Sequence, residues 1–395
     1  MKNSILEKIK RLNVIITTHV YATGPAQDLE EYLTKVVCAD NMLFIGHPLF
    51  YMKDRKGSGY RKYKSGNLIE KSNIANLKIP SFIAYIKDII LTFYWSFVLG
   101  KKWDLFIGSG NLNAFVGLWL RKFRKVKKVV FYSIDYAPDR FSNRLMRNLY
   151  LFLDAYCTKN CDCIWNLSDE MAVVREKRGL KRNKCALQLV VPVGIHLKRI
   201  KRKPSEEVNK NKIACMGGME RIFGIQLVIE AFSEAVKITP NLELIITGTG
   251  PYEPELKRLT VELSLNDKVT FTGFIKEHSR LEEIISECRI GVAAYMPDKT
   301  SYKTVTDVAK PKLYLACGLP VIITTVPPIA KIIREQKLGL VVEYEKGQLV
   351  KAMLSLLEDD KLYNEYRENV IKYSKTLDWD NIFEEALQVT INSVK

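Results

Sequence analysis

Long uninterrupted apolar runs are missing from this 395-residue chain. The nearest is IPSFIAYIKDIILTFYWSFVLG (79–100), which Lys87 and Asp88 interrupt. A bilayer span needs about 20 mostly apolar residues, so this segment reads as one or two aromatic-rich helices, in the core or partly interfacial. Also missing are a P-loop and a GxGxxG turn that opens a helix after a strand. ATPase and dehydrogenase readings therefore lack their carrier residues. Short-period repeats and low-complexity segments are absent too. The first apolar run, NVIITTH, is short and has no small-residue cleavage site, so it reads as a β-strand and not a secretory signal. Eight cysteines without such a signal are expected to be reduced thiols in a cytoplasm. Cys157, Cys161 and Cys163 have no fourth ligand nearby and read as buried thiols; no metal-ligand set is visible.

What is present in excess is positive charge, and it is unevenly placed. Residues 1–200 carry 34 Lys and Arg against 16 Asp and Glu, whereas the remainder carries 27 against 28. The whole excess lies in the first half. It is densest at RKFRKVKK (121–128), between a helix and a strand. Such a balance attracts nucleic acid, anionic lipid or phosphorylated substrates. No nucleic-acid-binding module pattern accompanies it, so no nucleic-acid partner is expected and an anionic membrane surface fits better.

Apolar strand-like runs alternate with helical patterns from end to end, as in an α/β protein with parallel sheets. The first half offers strands at 13–19, 41–47, 103–110, 128–135, 161–168 and 186–194. A polar segment, HLKRIKRKPSEEVNKNK (196–212), then marks a domain boundary. The second half restarts with strands at 212–217, within 241–251 (a strand and a glycine turn), and at 268–274, 290–295, 321–324 and 339–344. Two consecutive doubly wound domains result, and ligands of such sheets bind at the carboxyl ends of the strands. Glycine turns sit at those ends: Gly24, Gly108 and Gly110 in the first half, and Gly217, Gly218, Gly248, Gly250 and Gly273 in the second. Together they suit a nucleotide-diphosphate cleft.

The stretch TDVAKPKLYLACGLPVIITT (306–325) adds a local contradiction. Pro311 fits the first position of a helix, which Gly318 and Pro320 end. Lys310 and Lys312 therefore stand at a helix N-terminus, where the backbone is already positive and cations are disfavoured. A bound phosphate or diphosphate would resolve the conflict; two lysines splayed into solvent would also do so. His19 lies at a strand end and is a candidate for a catalytic role.

The order of these signals resembles the two-domain GT-B glycosyltransferases, specifically the retaining family 4, or group 1, type that uses nucleotide-sugar donors. The likeness runs through GGMERIFGIQLVIEAF, ITGTGPYEPELKRL, VTFTGF, IGVAAYMPD and KPKLYLACGLPVI. PVGIH (192–196) is similar to the segment that closes the N-terminal domain, and LDWDNIFEEAL (377–387) to a final helix that crosses back. The resemblance implies two Rossmann-like domains facing a central cleft. Residues 1–197 would bind the acceptor, with Gly24, Gly108 and Gly110 in that part. Residues 198–375 would bind the nucleotide sugar, and 376–395 would return to the first domain. The donor would lie along Gly217, Gly218, Gly248, Gly250, Gly273 and Phe274, with Lys310 and Lys312 near its diphosphate. Asp135 takes the place of the family's histidine near the reacting sugar.

The departures matter. Two glutamates that the family usually carries are replaced by Val305 and Leu313, and an arginine and a lysine by Gly218 and Phe223. Asp307 and Arg221 are the nearby substitutes. The implied activity is transfer of a sugar, with retention, to a lipid-linked or glycan acceptor, without cofactor or metal. The implied location is cytoplasmic, peripheral on the inner face of a membrane. A non-catalytic GT-B partner of an active transferase and a GT-B sugar-nucleotide epimerase stay open.

Overall fold

The computed structural model describes residues 2–19, 24–48, 57–75, 79–297 and 307–393. Val305, one of the two positions where the resemblance implies a glutamate, lies outside them. The chain forms two compact units, Met1–Pro192 together with Trp379–Lys395, and Val193–Asp378.

The first unit is built on eight strands: β1 (Asn13–Thr18), β2 (Asn41–Gly46), β3 (Gly59–Lys64), β4 (Asn67–Asn73), β5 (Trp103–Ser109), β6 (Val126–Ser133), β7 (Cys163–Asn166) and β8 (Leu187–Val190). Their order is β4-β3-β2-β1-β5-β6-β7-β8. All pair in parallel except β3, which is antiparallel to both β2 and β4. The central strands are almost wholly buried because helices cover both faces, which is why they read as continuous apolar runs. The β3–β4 hairpin escaped sequence reading. Its residues, GYRKYK and NLIEKSN, sit at the sheet edge largely in contact with solvent, so apolar patterning does not mark them. Ser65 and Gly66 turn it with φ of 48° and 77°, the double positive φ that a two-residue hairpin turn requires.

Helix Trp379–Asn392 belongs to this unit. The rings of Trp379 and Phe383 stack at 4.5 Å, and Phe383 packs on Tyr32 at 5.7 Å. Lys128 Nζ donates to the carbonyls of Thr390, Ile391 and Ser393 at 3.1, 3.0 and 2.5 Å. A cation there satisfies carbonyls that have no partner within a helix and suits its negative end. Part of the basic run 121–128 is therefore structural: Arg121 pairs with Asp162 at 2.6 Å and Lys127 with Asp104 at 2.6 Å.

The second unit holds six parallel strands: β9 (Asn209–Met216), β10 (Glu243–Thr247), β11 (Val269–Gly273), β12 (Cys288–Ala293), β13 (Val321–Thr324) and β14 (Gly339–Val342). The order β11-β10-β9-β12-β13-β14 is the doubly wound 3-2-1-4-5-6 arrangement. The polar segment 196–212 is not a free linker between units; the division falls at Pro192–Val193. It is tied into the second unit. Arg202 Nε donates to Ala316 O at 2.6 Å and Arg367 to the Lys203 carbonyl, while Ile195 N, just before the segment, donates to Leu377 O.

One buried ion pair anchors the first unit. Arg175 donates to both oxygens of Asp154 at 2.8 Å, to Asn166 Oδ1 at 2.7 Å and to Ser133 Oγ at 2.8 Å. Its guanidinium lies 4.4 Å from the Tyr136 ring. Arg175→Met would strand Asp154 in the core and should cost about 3–5 kcal/mol. Every tryptophan of the chain (95, 103, 119, 165, 379) lies in this unit. Tryptophan fluorescence during urea denaturation therefore isolates its transition, and that transition should move to lower urea.

Candidate functional site

In the second unit the loops that leave β9, β10 and β11 are knitted to one another at the carboxyl edge of the sheet. Gly217 N donates to Thr247 O, Met219 N to Thr249 O, Gly248 N to Gly273 O and Tyr252 N to Met219 O, each at 2.9 Å. Gly248 has φ of +121°, and a Cβ there would stand 2.0 Å from the Gly217 carbonyl oxygen. No side chain fits that approach. Gly250 is likewise closed in by the Met219 backbone, whereas Gly273 faces open space and Phe274 after it is 74% exposed.

Lys310 reaches into this crossing point. Its Nζ would be 2.3 Å from a Cβ at Gly217, so the glycine makes room for the ammonium. The same Nζ lies 3.3 Å from the centroid of Phe223, a cation–π contact. The ring edge packs beside Gly218, 3.3 Å from where its Cβ would be. The aromatic at position 223 thus holds a lysine from another element. Arg221 precedes it in a short 3-10 turn, Arg221–Phe223, and is exposed.

Helix Ala309–Cys317 starts two residues earlier than the position of Pro311 suggests. Pro311 still falls in the first turn, where a missing N–H breaks no helical bond. The two lysines part company here. Lys312 is buried, and its Nζ donates to Val193 O at 2.7 Å and pairs with Asp307. Asp307 also accepts from Val193 N at 2.7 Å, and burial, opposed by Lys312, pushes its carboxyl up. Sequence reading assigned Lys312 and Asp307 to the donor. Their polar atoms are instead turned inward, pinning the backbone at Val193 where the chain enters the unit. Leu313 packs on the core.

The first unit has its own cavity, about 270 Å³, at the carboxyl ends of β1, β5 and β6. His19, Asn113, Asp135, Arg140 and Tyr150 supply polar lining, and Phe82, Ile86 and Leu149 apolar lining. Gly110 also lines it, capping helix Asn111–Lys122 with φ of 88°. Gly108 and Gly24 do not. Gly108 is a packing glycine, since a Cβ would stand 2.4 Å from Ala114 N, and Gly24 caps helix Pro25–Glu31 in an extended conformation. Asp135 forms an ion pair with Arg140.

Beneath His19 lies a charge cluster that sequence reading missed. Asp88, buried in helix Ser81–Val98, faces His19 Nε2 at 3.4 Å and His47 Nδ1 at 3.3 Å, accepts from Ser58 Oγ at 2.9 Å and pairs with Lys87 at 3.1 Å. Asn113 Nδ2 stands 3.0 Å from His19 Nδ1. Donation from that amide selects the tautomer with its proton on Nε2, toward Asp88. Both ring nitrogens of His19 are thus engaged, so the cluster orients the ring. The signal was Asp88 itself, a carboxylate in the middle of an apolar helix.

Burial pushes His47 down to about 4 against the pull of Asp88. Burial also opposes ionisation of Asp88, but hydrogen bonds from His19 and His47 outweigh it and hold the carboxyl well below the usual range. Both folded-state values are depressed, so both contributions are full above the unfolded values and are lost as pH falls. His47 sets the first window, from about 6.5 down to about 4, worth up to roughly 3 kcal/mol. Tryptophan-detected urea unfolding at pH 7 and 4.5 should show this loss, and His47→Asn should flatten the slope relative to wild type.

Comparison with known proteins defines the fold first. Sucrose-phosphate synthase from Thermosynechococcus elongatus matches with a TM-score of 0.69 at 18% identity, over 96% of this chain and 98% of that one. Anabaena HepE, solved with UDP and glucose, matches with a TM-score of 0.69 at 14% identity, over 97% and 100%. The protein has the two-domain GT-B fold. Within it, residues 210–359 match the family model described as Glycosyl transferases group 1. A curated relative is the N-acetylgalactosamine-N,N'-diacetylbacillosaminyl-diphospho-undecaprenol 4-alpha-N-acetylgalactosaminyltransferase of Campylobacter jejuni. It is 26% identical over 198 residues, 49% of this chain and 51% of that protein. The chain spans about half or less of the length of the curated relatives it matches.

Proposed function

We propose that the protein is a nucleotide-sugar-dependent glycosyltransferase that moves a sugar, with retention, to a lipid-linked or glycan acceptor. The observation that carries this reading is Lys310. Its ammonium stands where the glycine loops of β9 and β10 cross, at the edge of the sheet where doubly wound domains take their ligands. A diphosphate there would meet a fixed cation together with N–H groups of the first turn of helix Ala309–Cys317. Negative charge grows on the leaving nucleotide diphosphate in the transition state, and preorganised positive groups stabilise it without reorganising. Lys310, backbone N–H groups and exposed Arg221 supply that field, and the reaction needs no metal. The group 1 match over 210–359 supports the same assignment. The undecaprenol-linked substrate named for the Campylobacter relative supports the acceptor class. The enzyme works in the cytoplasm, peripheral on the inner membrane face.

Single substitutions separate the two lysines. Lys310→Ala should weaken UDP binding about tenfold or more in calorimetry, the worth of one charge-assisted hydrogen bond, while melting little changed. Lys312→Ala leaves Asp307 buried without its cation and should lower stability by about 3–5 kcal/mol. Unchanged UDP affinity in Lys310→Ala would refute this donor site. Conversion of one sugar nucleotide to another without acceptor would favour an epimerase.

A further inference from the structure

Helix Ser81–Val98 turns an apolar stripe outward. Phe82, Ile86, Ile90, Tyr94 and Val98 recur every fourth residue and are all exposed, whereas Trp95 and Thr92 face inward and are buried. The stripe continues across the neighbouring helices through a chain of ring contacts. Phe93 meets Phe123 at 6.3 Å, Phe123 meets Trp119 at 6.5 Å, and Trp119 meets Phe115 at 6.2 Å. Phe115 meets Tyr156 at 5.6 Å, and Tyr156 stacks on Phe152 at 6.2 Å. Trp119, Phe123, Leu145 and Phe152 are exposed along it. One apolar face thus spans helices Ser81–Val98, Asn111–Lys122 and Arg144–Asn160. Soluble monomers seldom leave a patch of this kind uncovered.

Its charge says what covers it. The three helices contain two carboxylates, Asp88 and Asp154, and both are buried. Cations rim the face instead. Lys122 Nζ lies 4.6 Å over the Trp119 ring, Lys125 Nζ lies 4.8 Å over the Phe97 ring while donating to the Phe97 and Gly100 carbonyls, and Lys101, Lys102 and Arg124, close in sequence, are all exposed. Exposed aromatic rings with ammonium groups over their faces and exposed cations beside them suit the interface of an anionic bilayer. A second copy of the same face would bring like charges together, which disfavours self-association through it.

We propose that this face docks on an anionic lipid bilayer, with the three helices lying in the interface. Among the described residues no helix is long and apolar enough to cross a membrane. Phe82, Ile86 and Leu149 belong both to the face and to the lining of the cavity that ends at His19 and Asp135. The apolar part of a lipid acceptor therefore has a path from the docked face to the polar groups of the first unit. That last step rests on the lipid-linked acceptor reading; the docking itself does not.

Co-sedimentation of the full chain with vesicles tests it. Vesicles of phosphatidylcholine mixed with phosphatidylglycerol should bind at least about tenfold more tightly than phosphatidylcholine alone, and added salt should weaken this. Ile90→Glu with Tyr94→Glu, both on exposed positions, should abolish recovery. Lys101→Gln, Lys102→Gln, Lys122→Gln and Arg124→Gln together should remove the preference for the anionic lipid. Melting curves check that both variants fold, and brominated lipid should quench tryptophan fluorescence in wild type through Trp119. UDP affinity should be unchanged in both variants, so failure of docking and failure of the donor site are read separately. Equal recovery on both vesicle types at low salt would overturn the proposal. So would a folded Ile90→Glu/Tyr94→Glu protein that still binds, or a concentration-dependent dimer that this variant breaks with no vesicle binding.

Discussion

Parallel strands covered on both faces leave polar chemistry one place to gather, the edge where the chain leaves the strands. In each unit the central strands are apolar and sealed, so backbone groups at their carboxyl ends must find partners in loops. The second unit solves this by crossing its loops so tightly that Gly217 and Gly248 touch, and Lys310 occupies the space a side chain at 217 would take. The first unit leaves a cavity at the same edge and floors it with His19.

Buried charge is handled differently in the two units. In the second, Lys312, Asp307 and the Val193 backbone form a closed group that fastens the entering chain. Partners of this kind add specificity more than net stability, because two desolvated ions gain little beyond what they lose to water. In the first, Asp88 serves two histidines, a serine and Lys87 from one carboxylate. The cluster lies beneath a residue that borders the cavity, so the stability of the fold and the orientation of His19 depend on the same ion.

The basic excess of the first half also divides once it is folded. Lys128 closes the end of the last helix, Arg121 and Lys127 answer internal carboxylates, and Arg175 binds Asp154 in the core. The cations that remain at the surface include those that edge the aromatic face. Net charge alone therefore overstated how much of this half is available to a partner.

Apolar runs were enough to locate all six expected strands in each unit; for the central strands this is because a strand buried on both sides must be apolar along its length, although β8 is half exposed. Turn glycines at strand ends were legible too, but for more than one reason: close backbone approach excludes a side chain at Gly248 and Gly250, whereas Gly110 and Gly273 face open space with positive φ. The β3–β4 hairpin was not, since an exposed edge strand imposes no apolar pattern on its residues. Lys310 and Lys312 looked alike in one dimension, yet two steps of about 100° on a helix send neighbours i and i+2 to opposite sides. Which side faced the loops and which the interior was decided by packing against Phe223 and Val193, residues far away in sequence. Asp88 was visible as a charge in an apolar helix, but its two histidines come from the ends of β1 and β2. Only the tertiary structure brings these ends to the same side of one helix, because parallel pairing sets β1 and β2 side by side in register.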